Sequence, residues 1–276
     1  MKKIQSLALI RLLSVLAFIL MIAVNALANI LPINGQNTGQ ISNLYPSLFT
    51  PAALTFSVWG LIYLFLLLYT IYQTGLVGKK SQNYTRAIRE TGSLFILSCL
   101  ANTAWILCWH YNLMVQSVGA MLLLLAALIL IYLRLRRSIG AGRTLGEKWM
   151  ISVPFSFYLA WISVATIANI TALLVKIKWD GWGLSPQVYT IAVIVAATLI
   201  TVVVQRKYRD IAYSLVVIWA LAGILIQHMG LYKMAYWGII ITLVLSMAIL
   251  LIGTYQSAAS KKKASKHSTK PHRKKR

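Results

Sequence analysis

The sequence predicts an all-α integral membrane protein, a polytopic helical bundle of about eight transmembrane helices. Three observations predict this fold class: 59% of the 276 residues are hydrophobic, only 11% are charged, and the apolar residues fall in long runs. One soluble core cannot bury that much apolar surface. A spanning helix needs about 20 apolar residues to cross roughly 30 Å of hydrocarbon. We predict spans at residues 8–31, 52–74, 92–110, 113–133, 150–174, 187–205, 211–229 and 234–255.

Basic residues alternate along this eight-span order and give it an orientation. All but three of the 27 lysines and arginines lie in the two termini or in the connections 2–3, 4–5 and 6–7; the exceptions are Lys176, Lys178 and Lys233. Basic loops stay on the cytoplasmic side of a membrane. We therefore expect an integral protein of the bacterial plasma membrane with both termini in the cytoplasm. The net charge of +23 needs no nucleic-acid partner to explain it.

The connection between spans 1 and 2, residues 32–51, is the one long loop on the opposite side. Gly, Asn, Pro and Ser dominate it, so turn chemistry predicts an irregular path. It has no charge and keeps apolar residues such as Ile41 and Phe49. A loop fully in water would be more polar, so we expect this segment to fold back onto the bundle as a lid.

The chain divides into three predicted parts. Residues 1–178 form a five-helix bundle that contains the intramembrane asparagines and most tryptophans, and residues 179–256 add three plainer helices. Residues 257–276 form a basic tail that is too polar to pack, so we expect it to be disordered and to touch anionic lipid electrostatically. The sequence leaves a homodimer open.

Aromatic and amide side chains recur at helical spacing in three spans. One face of span 5 bears Tyr158, Trp161 and Asn169, span 3 repeats the pattern with Asn102, Trp105 and Trp109, and span 2 offers Phe56, Trp59 and Tyr63. An unpaired amide is costly in lipid, so we expect Asn25, Asn29, Asn102 and Asn169 to face the bundle interior. Membrane tryptophans are often interfacial anchors and asparagines often join helices. Trp59, however, lies eight residues, about 12 Å, beyond Pro51, and Trp161 lies eight residues, about 12 Å, from Asn169. Both depths are below the interface.

At these positions the sequence resembles the TspO/MBR family of tryptophan-rich sensory proteins, which includes the mitochondrial translocator protein (peripheral benzodiazepine receptor). The residues that carry the resemblance in the loop and span 2 are Pro46, Ser47, Pro51, Val58, Trp59, Gly60 and Tyr63. In span 5 they are Tyr158, Leu159, Ala160, Trp161, Ala165, Thr166 and Asn169, and in span 3 Asn102 and Trp105. The resemblance covers about residues 8–178.

The sequence also departs from the family pattern. Thr50-Pro51 stands where the family has paired prolines, Leu48 stands at its loop tryptophan, and Pro51 and Val58 are separated by six residues rather than seven. Three further spans follow the five that resemble the family. These departures leave the particular ligand open.

The resemblance implies a pocket for a planar hydrophobic ligand, tetrapyrrole-like or sterol-like, with a porphyrin as one candidate. The expected ligand-binding residues are Pro51, Phe56, Trp59, Tyr63, Asn102, Trp105, Tyr158, Trp161 and Asn169. Rigid aromatic faces in an apolar cavity favour such ligands on physical grounds as well. The primary hypothesis is therefore a membrane receptor or sensor. We predict no cofactor, catalytic residue or metal site.

Two alternatives remain. The first is a transporter of such a ligand or of another small molecule; facilitated transport is favoured over ion coupling because Glu90, Glu147, Asp180 and Asp210 all lie in loops or at span ends. The second is an enzyme, since the family has been linked to photo-oxidative porphyrin breakdown. His110 and His228, near span ends without a neighbouring carboxylate, are expected to be interfacial side chains rather than metal ligands.

Overall fold

Eight long helices form the described part of the molecule, which contains no strand. The computed structural model describes residues 2–31, 33–76, 82–138 and 144–268, with only the backbone described for residues 2–6, 83, 138 and 261–268. The long helices are α1 (Lys2–Ile30), α2 (Val58–Thr74), α3 (Gln82–His110), α4 (Met114–Ser138), α5 (Val153–Lys176), α6 (Pro186–Tyr208), α7 (Ile211–Gly230) and α8 (Trp237–Ser268). Within the described residues, eight helical segments are long and apolar enough to cross a membrane. The predicted fold class and span count are confirmed.

Helix α3 begins at Gln82, ten residues before the predicted start of span 3. The added residues are polar, but one helical face buries Tyr84, Ala87 and Ile88. The Tyr84 hydroxyl donates to the Gln73 carbonyl at 3.0 Å, and Arg11 lies over the Tyr84 ring at 5.3 Å. Hydropathy finds the lipid-crossing part of a helix, whereas packing determines where this helix begins.

Helix α8 extends to Ser268, so residues 257–268 of the predicted tail are helical. Ala258, Ala259 and Ala264 favour a helix, and no glycine or proline interrupts this stretch. Residues 269–276 lie outside the described residues. The predicted disorder of residues 269–276 therefore stays a prediction.

Helices α3 and α5 lie in the middle of the bundle. Helix α3 packs against α1 and α4, α4 packs against α5, and α5 packs against α7, which in turn contacts α8. Burial follows this order: 56% of the residues in the apolar window of α3 are buried, against 22% in those of α1 and α6. Helix α7 is thus the main junction between the first five helices and the last three. The five-plus-three division itself stays a prediction.

The connection between α1 and α2 covers one end of the bundle. We call residues 33–52 the lid and this end the lid end; the opposite end, with the arginine-rich connections, is the basic end. The lid contains a short helix, Thr38–Leu44, which begins with a reciprocal capping box between Asn37 and Gln40. Ile41 and Phe49 are 0% and 1% exposed. The expectation that this loop folds back onto the bundle is confirmed.

Both halves of the lid bond to helices other than the two that it connects. In the first half, the Trp109 indole of α3 donates to the Thr38 carbonyl at 3.3 Å. In the second half, the backbone N–H of Ala52 donates to the Gly223 carbonyl of α7 at 3.0 Å. The lid is therefore attached to α3 and α7 independently.

A buried carboxylate joins three helices at the basic end. Asp210 is 5% exposed, and its Oδ2 accepts from Tyr132 at 2.8 Å, from Ser156 at 2.7 Å and from Arg136. Its Oδ1 accepts from the backbone N–H of Tyr213 and so caps α7. These donors come from α4, α5 and α7, and a buried carboxylate is tolerated because it is paired and hydrogen-bonded.

Candidate functional site: an aromatic cleft

A cleft of about 320 Å³ opens at the lid end between α1, the lid, α2 and α3. We call it the aromatic cleft. Its walls are Asn25, Asn29, Asn37, Thr38, Gly39, Ala53, Phe56, Trp59, Tyr63, Trp105 and Ile106. The volume lies at the lower end of the usual range for small-molecule sites, about 300 to 1,000 Å³.

Trp59 is at the centre of the aromatic wall. Its ring stacks on Tyr63 with centroids 5.3 Å apart and on Trp105 at 6.0 Å. Tyr158 and Trp161 meet it edge to face, each at 6.1 Å. Stacked and edge-to-face pairs are the favourable aromatic arrangements, so four neighbours fix the orientation of one indole.

Helical spacing explains part of this arrangement. Trp59 and Tyr63 are four residues apart on α2, and Trp105 and Trp109 are four apart on α3, so each pair shares a face. The second pair also stacks, at 6.2 Å. The two aromatic faces meet where Trp59 stacks on Trp105.

The predicted site residues fall into two layers. Phe56, Trp59, Tyr63 and Trp105 line the aromatic cleft. Tyr158 and Trp161 of α5, 0% and 2% exposed, lie behind Trp59 and do not line the cleft.

Two further predicted residues are also set back from the cleft wall. Pro51 is buried in the lid. Asn102 is fully buried and does not line the cleft, but its Oδ1 accepts from the Nδ2 of Asn25 at 2.7 Å. Asn25 does line the cleft, so Asn102 reaches the site through one hydrogen bond.

Amides form the polar edge of the aromatic cleft. Asn25, 4% exposed, also donates to the Met21 carbonyl at 2.9 Å, and Asn29 donates to the Asn25 carbonyl at 2.9 Å. Asn29 itself is exposed at the cleft wall rather than buried. The amides expected inside the bundle thus divide, with Asn25 and Asn102 buried and Asn29 exposed.

Asn169 acts on the cleft through Trp105. The Trp105 indole N–H and the Ser117 hydroxyl both donate to the Asn169 Oδ1, each at 3.0 Å. All three side chains are buried and come from α3, α4 and α5. Asn169 therefore positions the Trp105 ring and does not line the cleft.

The lid supplies three wall residues that sequence reasoning missed: Asn37, Thr38 and Gly39. The His110 ring holds this part of the lid, since its Nδ1 donates to the Ile33 carbonyl at 3.1 Å and its Nε2 then accepts from the Thr38 hydroxyl at 3.2 Å. The capping pattern of Asn37 and Gln40 was the available signal for a lid helix. The path of the lid over the cleft has no comparable signal.

The prediction that His110 and His228 are interfacial side chains is wrong. Both are 0% exposed. The Nε2 of His228 donates to the Leu48 carbonyl at 2.9 Å, so each ring is hydrogen-bonded to the lid. Within the described residues, no three His, Cys, Asp or Glu side chains are grouped to hold a metal ion.

Eight membrane-capable helices and an aromatic cleft with an amide edge define a polytopic membrane protein of the helical-bundle class. A family model described as TSPO-like protein matches residues 11–255, and the chain belongs to this family. Membership supports a membrane ligand-binding or sensor protein. The match continues through α6, α7 and α8, beyond the region of residues 8–178 in which the motifs were recognised. Comparisons with curated proteins and with solved structures give no significant match.

Proposed function

We propose that the protein is a membrane receptor or sensor that binds a flat, largely apolar ligand in the aromatic cleft. The observation that carries the proposal is the position of Trp59, which is partly exposed to the cleft while four other rings contact it. A ring held in this way offers a stacking face without a further cost of ordering. Tetrapyrrole-like and sterol-like molecules have the flat shape that such a face accepts.

The lining of the cleft narrows the ligand class. None of the described lining residues is charged, and the polar groups are the amides, the Thr38 hydroxyl and the Tyr63 hydroxyl. An ionised group buried there would have no partner and would be costly. The part of the ligand inside the cleft is therefore neutral, and the acid groups of a porphyrin would project out of it.

A receptor is favoured over a facilitated transporter. A transporter must also open a path towards the basic end, where Asp210 and its donors join α4, α5 and α7. Opening that end would expose a charge that is now paired and hydrogen-bonded. The paired Asp210 at this junction therefore favours binding without passage between α4, α5 and α7.

The test is the affinity of the purified protein for protoporphyrin and for a sterol, with Trp59→Phe and Trp105→Phe as variants. Each substitution keeps much of the volume and removes part of the stacking face, which is worth about 0.5 to 1.5 kcal/mol beyond area, or roughly 2- to 12-fold in affinity. Trp237→Phe is the control, because Trp237 is 60% exposed at the start of α8 and does not line the cleft.

Trp161→Phe separates the two layers of the aromatic cluster. Trp161 contacts Trp59 and Phe56 from behind, so we expect a smaller loss of affinity than for Trp59→Phe. Thermal unfolding of every variant is measured alongside binding. Unchanged affinity for both probes in folded Trp59→Phe and Trp105→Phe would rule out this cleft as the binding site.

A further inference from the structure

A second, larger cleft lies at the lid end, where the first five helices meet the last three. It has a volume of about 520 Å³, and lid residues, the end of α5, the start of α6 and the turn between α7 and α8 contribute to its walls. We call it the junction cleft. It shares no lining residue with the aromatic cleft, so it is a separate site.

The junction cleft has one cation and one anion in its wall. Lys178 and Asp180 both line it and are exposed. Among the described residues Lys178 makes no ion pair, and the Asp180 carboxylate is used through Oδ1, which accepts from the backbone N–H of Trp182 at 3.0 Å. A positive and a negative group are thus available two residues apart.

A defined backbone turn carries these two side chains. Lys178 has φ +53° and Trp182 has φ +49°, a conformation that costs free energy outside glycine. The backbone N–H of Lys178 donates to the Val175 carbonyl at 3.1 Å. The segment after α5 is therefore a defined turn, which places the Cα atoms of Lys178 and Asp180 at the same rim of the cleft.

Two pairs of aromatic rings complete the cleft. Trp179 and Tyr189 have centroids 4.8 Å apart, and Tyr232 and Tyr236 have centroids 5.6 Å apart. The Tyr232 hydroxyl donates to the Ser47 carbonyl at 3.4 Å. Burial, with a smaller contribution from Tyr236, raises the pKa of Tyr232, so this hydroxyl stays protonated and keeps its donor role.

We propose that the junction cleft binds a zwitterionic amphiphile that carries an ammonium group and a phosphate. Lys178 pairs with the phosphate, because an ammonium donor forms a charge-assisted hydrogen bond to it. The ring faces and Asp180 attract the ligand's ammonium group, as aromatic side chains do for quaternary ammonium ions. The inference does not depend on the proposed function of the aromatic cleft.

The position of the cleft agrees with this chemistry. It lies at the ends of spans, where tryptophan and tyrosine meet the polar boundary of a bilayer. Leu48, Leu174 and Leu184 add an apolar wall beside the charged pair, on which an acyl chain can lie. A zwitterionic lipid and a water-soluble zwitterion share the recognised headgroup, and the experiment separates them.

The experiment is native mass spectrometry of the full chain released from a neutral detergent, titrated with phosphatidylcholine or phosphatidylglycerol of the same acyl chains. Both lipids offer a phosphate, but phosphatidylcholine also offers an ammonium group. We expect the wild type to retain phosphatidylcholine in preference to phosphatidylglycerol. Glycerophosphocholine, the headgroup without acyl chains, is then added as competitor: displacement assigns a soluble zwitterion, and persistence assigns the lipid.

Four variants assign the chemistry within the cleft. Lys178→Gln is expected to weaken both lipids by about threefold, the effect of one exposed charge pair. Asp180→Asn and Tyr236→Leu are expected to weaken phosphatidylcholine alone and so to erase the preference; asparagine still caps the Trp182 turn. Lys233→Gln is the matched control, since Lys233 is at the same end but outside the lining.

Two results would overturn the inference: equal or tighter retention of phosphatidylglycerol by the wild type, or cleft variants that behave like Lys233→Gln while their melting temperatures are unchanged. Trp59→Phe keeps the two proposals distinguishable. Its loss of porphyrin binding leaves phosphatidylcholine retention unaffected if the junction cleft is the lipid site. Loss of phosphatidylcholine preference with intact porphyrin binding removes this inference alone.

Discussion

The side-chain oxygen of Asn169 orients the indole of Trp105 in the wall of the aromatic cleft. Asn169 accepts from both Trp105 and Ser117, and both donor side chains are buried. A buried donor that loses its acceptor costs about 1 to 3 kcal/mol. The orientation of the cleft wall thus depends on a residue outside it.

Replacing Asn169 with Ala should lower stability and ligand affinity together. The change leaves two donors without an acceptor, so we expect a loss of about 2 kcal/mol or more in the free energy of unfolding. Freed from its acceptor, the Trp105 ring should bind the proposed flat ligand less well. Thermal unfolding and protoporphyrin quenching are the two measurements.

Ser117→Ala is the matched control for this change. It removes one donor and leaves the bond between Trp105 and Asn169 intact, so porphyrin affinity should be retained. If Ser117→Ala and Asn169→Ala lowered affinity equally, the bond to Trp105 would have no special role. A loss of stability alone in Asn169→Ala would make Asn169 purely structural.

At this scale the sequence predicted aromatic and amide residues near one region of the bundle but not which of them line the cleft, and their role in binding stays a prediction. Phe56, Trp59, Tyr63 and Trp105 line the cleft, and the spacing of Trp59 and Tyr63 places these two on one face of α2. Trp161 shares that periodicity and still lies in the second layer. Periodicity gives the face of a helix, whereas the rotation of that helix against its neighbours depends on packing of the whole bundle.

Helix α7 approaches the segment just before α2 so closely that Gly223 has no room for a side chain without a shift of its neighbour. A Cβ at Gly223 would overlap the Thr55 side chain, and the Gly223 carbonyl accepts from the Ala52 N–H. The Trp219 indole, one turn earlier, donates to the Thr55 carbonyl at 3.0 Å. Helix α7 thus contacts residues 52–55, just before α2, through one backbone hydrogen bond, one indole donor and a close approach of the Thr55 side chain to Gly223.

Gly223→Ala should therefore destabilise the protein by about 1 to 3 kcal/mol, the usual cost of overpacking. Gly119→Ala is the control, because nothing lies within 4 Å of a Cβ at that glycine in α4. The measurement is the melting temperature of both variants in the same detergent. A Gly223→Ala protein as stable as Gly119→Ala would show that the contact has room for a methyl group.

The position of Asp210 at the end of a span was predictable from the sequence, but its hydrogen-bond partners were not. Its partners Tyr132, Arg136 and Ser156 lie 54 to 78 residues away along the chain, and no local pattern connects them. The guanidinium of Arg136 also lies over the Tyr132 and Tyr208 rings, at 4.7 and 5.6 Å. Long-range pairings of this kind follow from the packing order of the helices, which hydropathy does not specify.

For the whole molecule, the basic residues predict which side of the membrane each end faces. We expect the lid end outside the cell and the basic end in the cytoplasm. In a background without Cys99 and Cys108, Asn43→Cys in the exposed part of the lid helix should react with an impermeant thiol reagent on intact cells. Ser265→Cys should react only after the cells are opened, and the reverse pattern would invert the orientation.

The number and order of the spans were predictable because hydropathy and charge act over the length of a helix. The complete lining of the aromatic cleft and the existence of the junction cleft were not predictable, since each cleft is assembled from at least three segments that are distant in sequence. For Lys178, the side of the membrane was predictable but the cleft that it lines was not. Its place at the lid end was expected, but it lines the junction cleft rather than the aromatic one, and Lys176 instead donates to the Asn112 carbonyl.

The two halves of the lid are attached to separate helices, so the fold does not require the chain between them to be continuous. The part before Asn43 is bonded to α3, and the part after Tyr45 is bonded to α7, so the peptide bonds between them carry little of the structure. Residues 43 and 44 are exposed, and the orientation predicted from the basic residues would place them within reach of a protease added from outside. A chain cut there should remain assembled, and residues 1–43 and 44–276 produced as two polypeptides should associate into one folded protein.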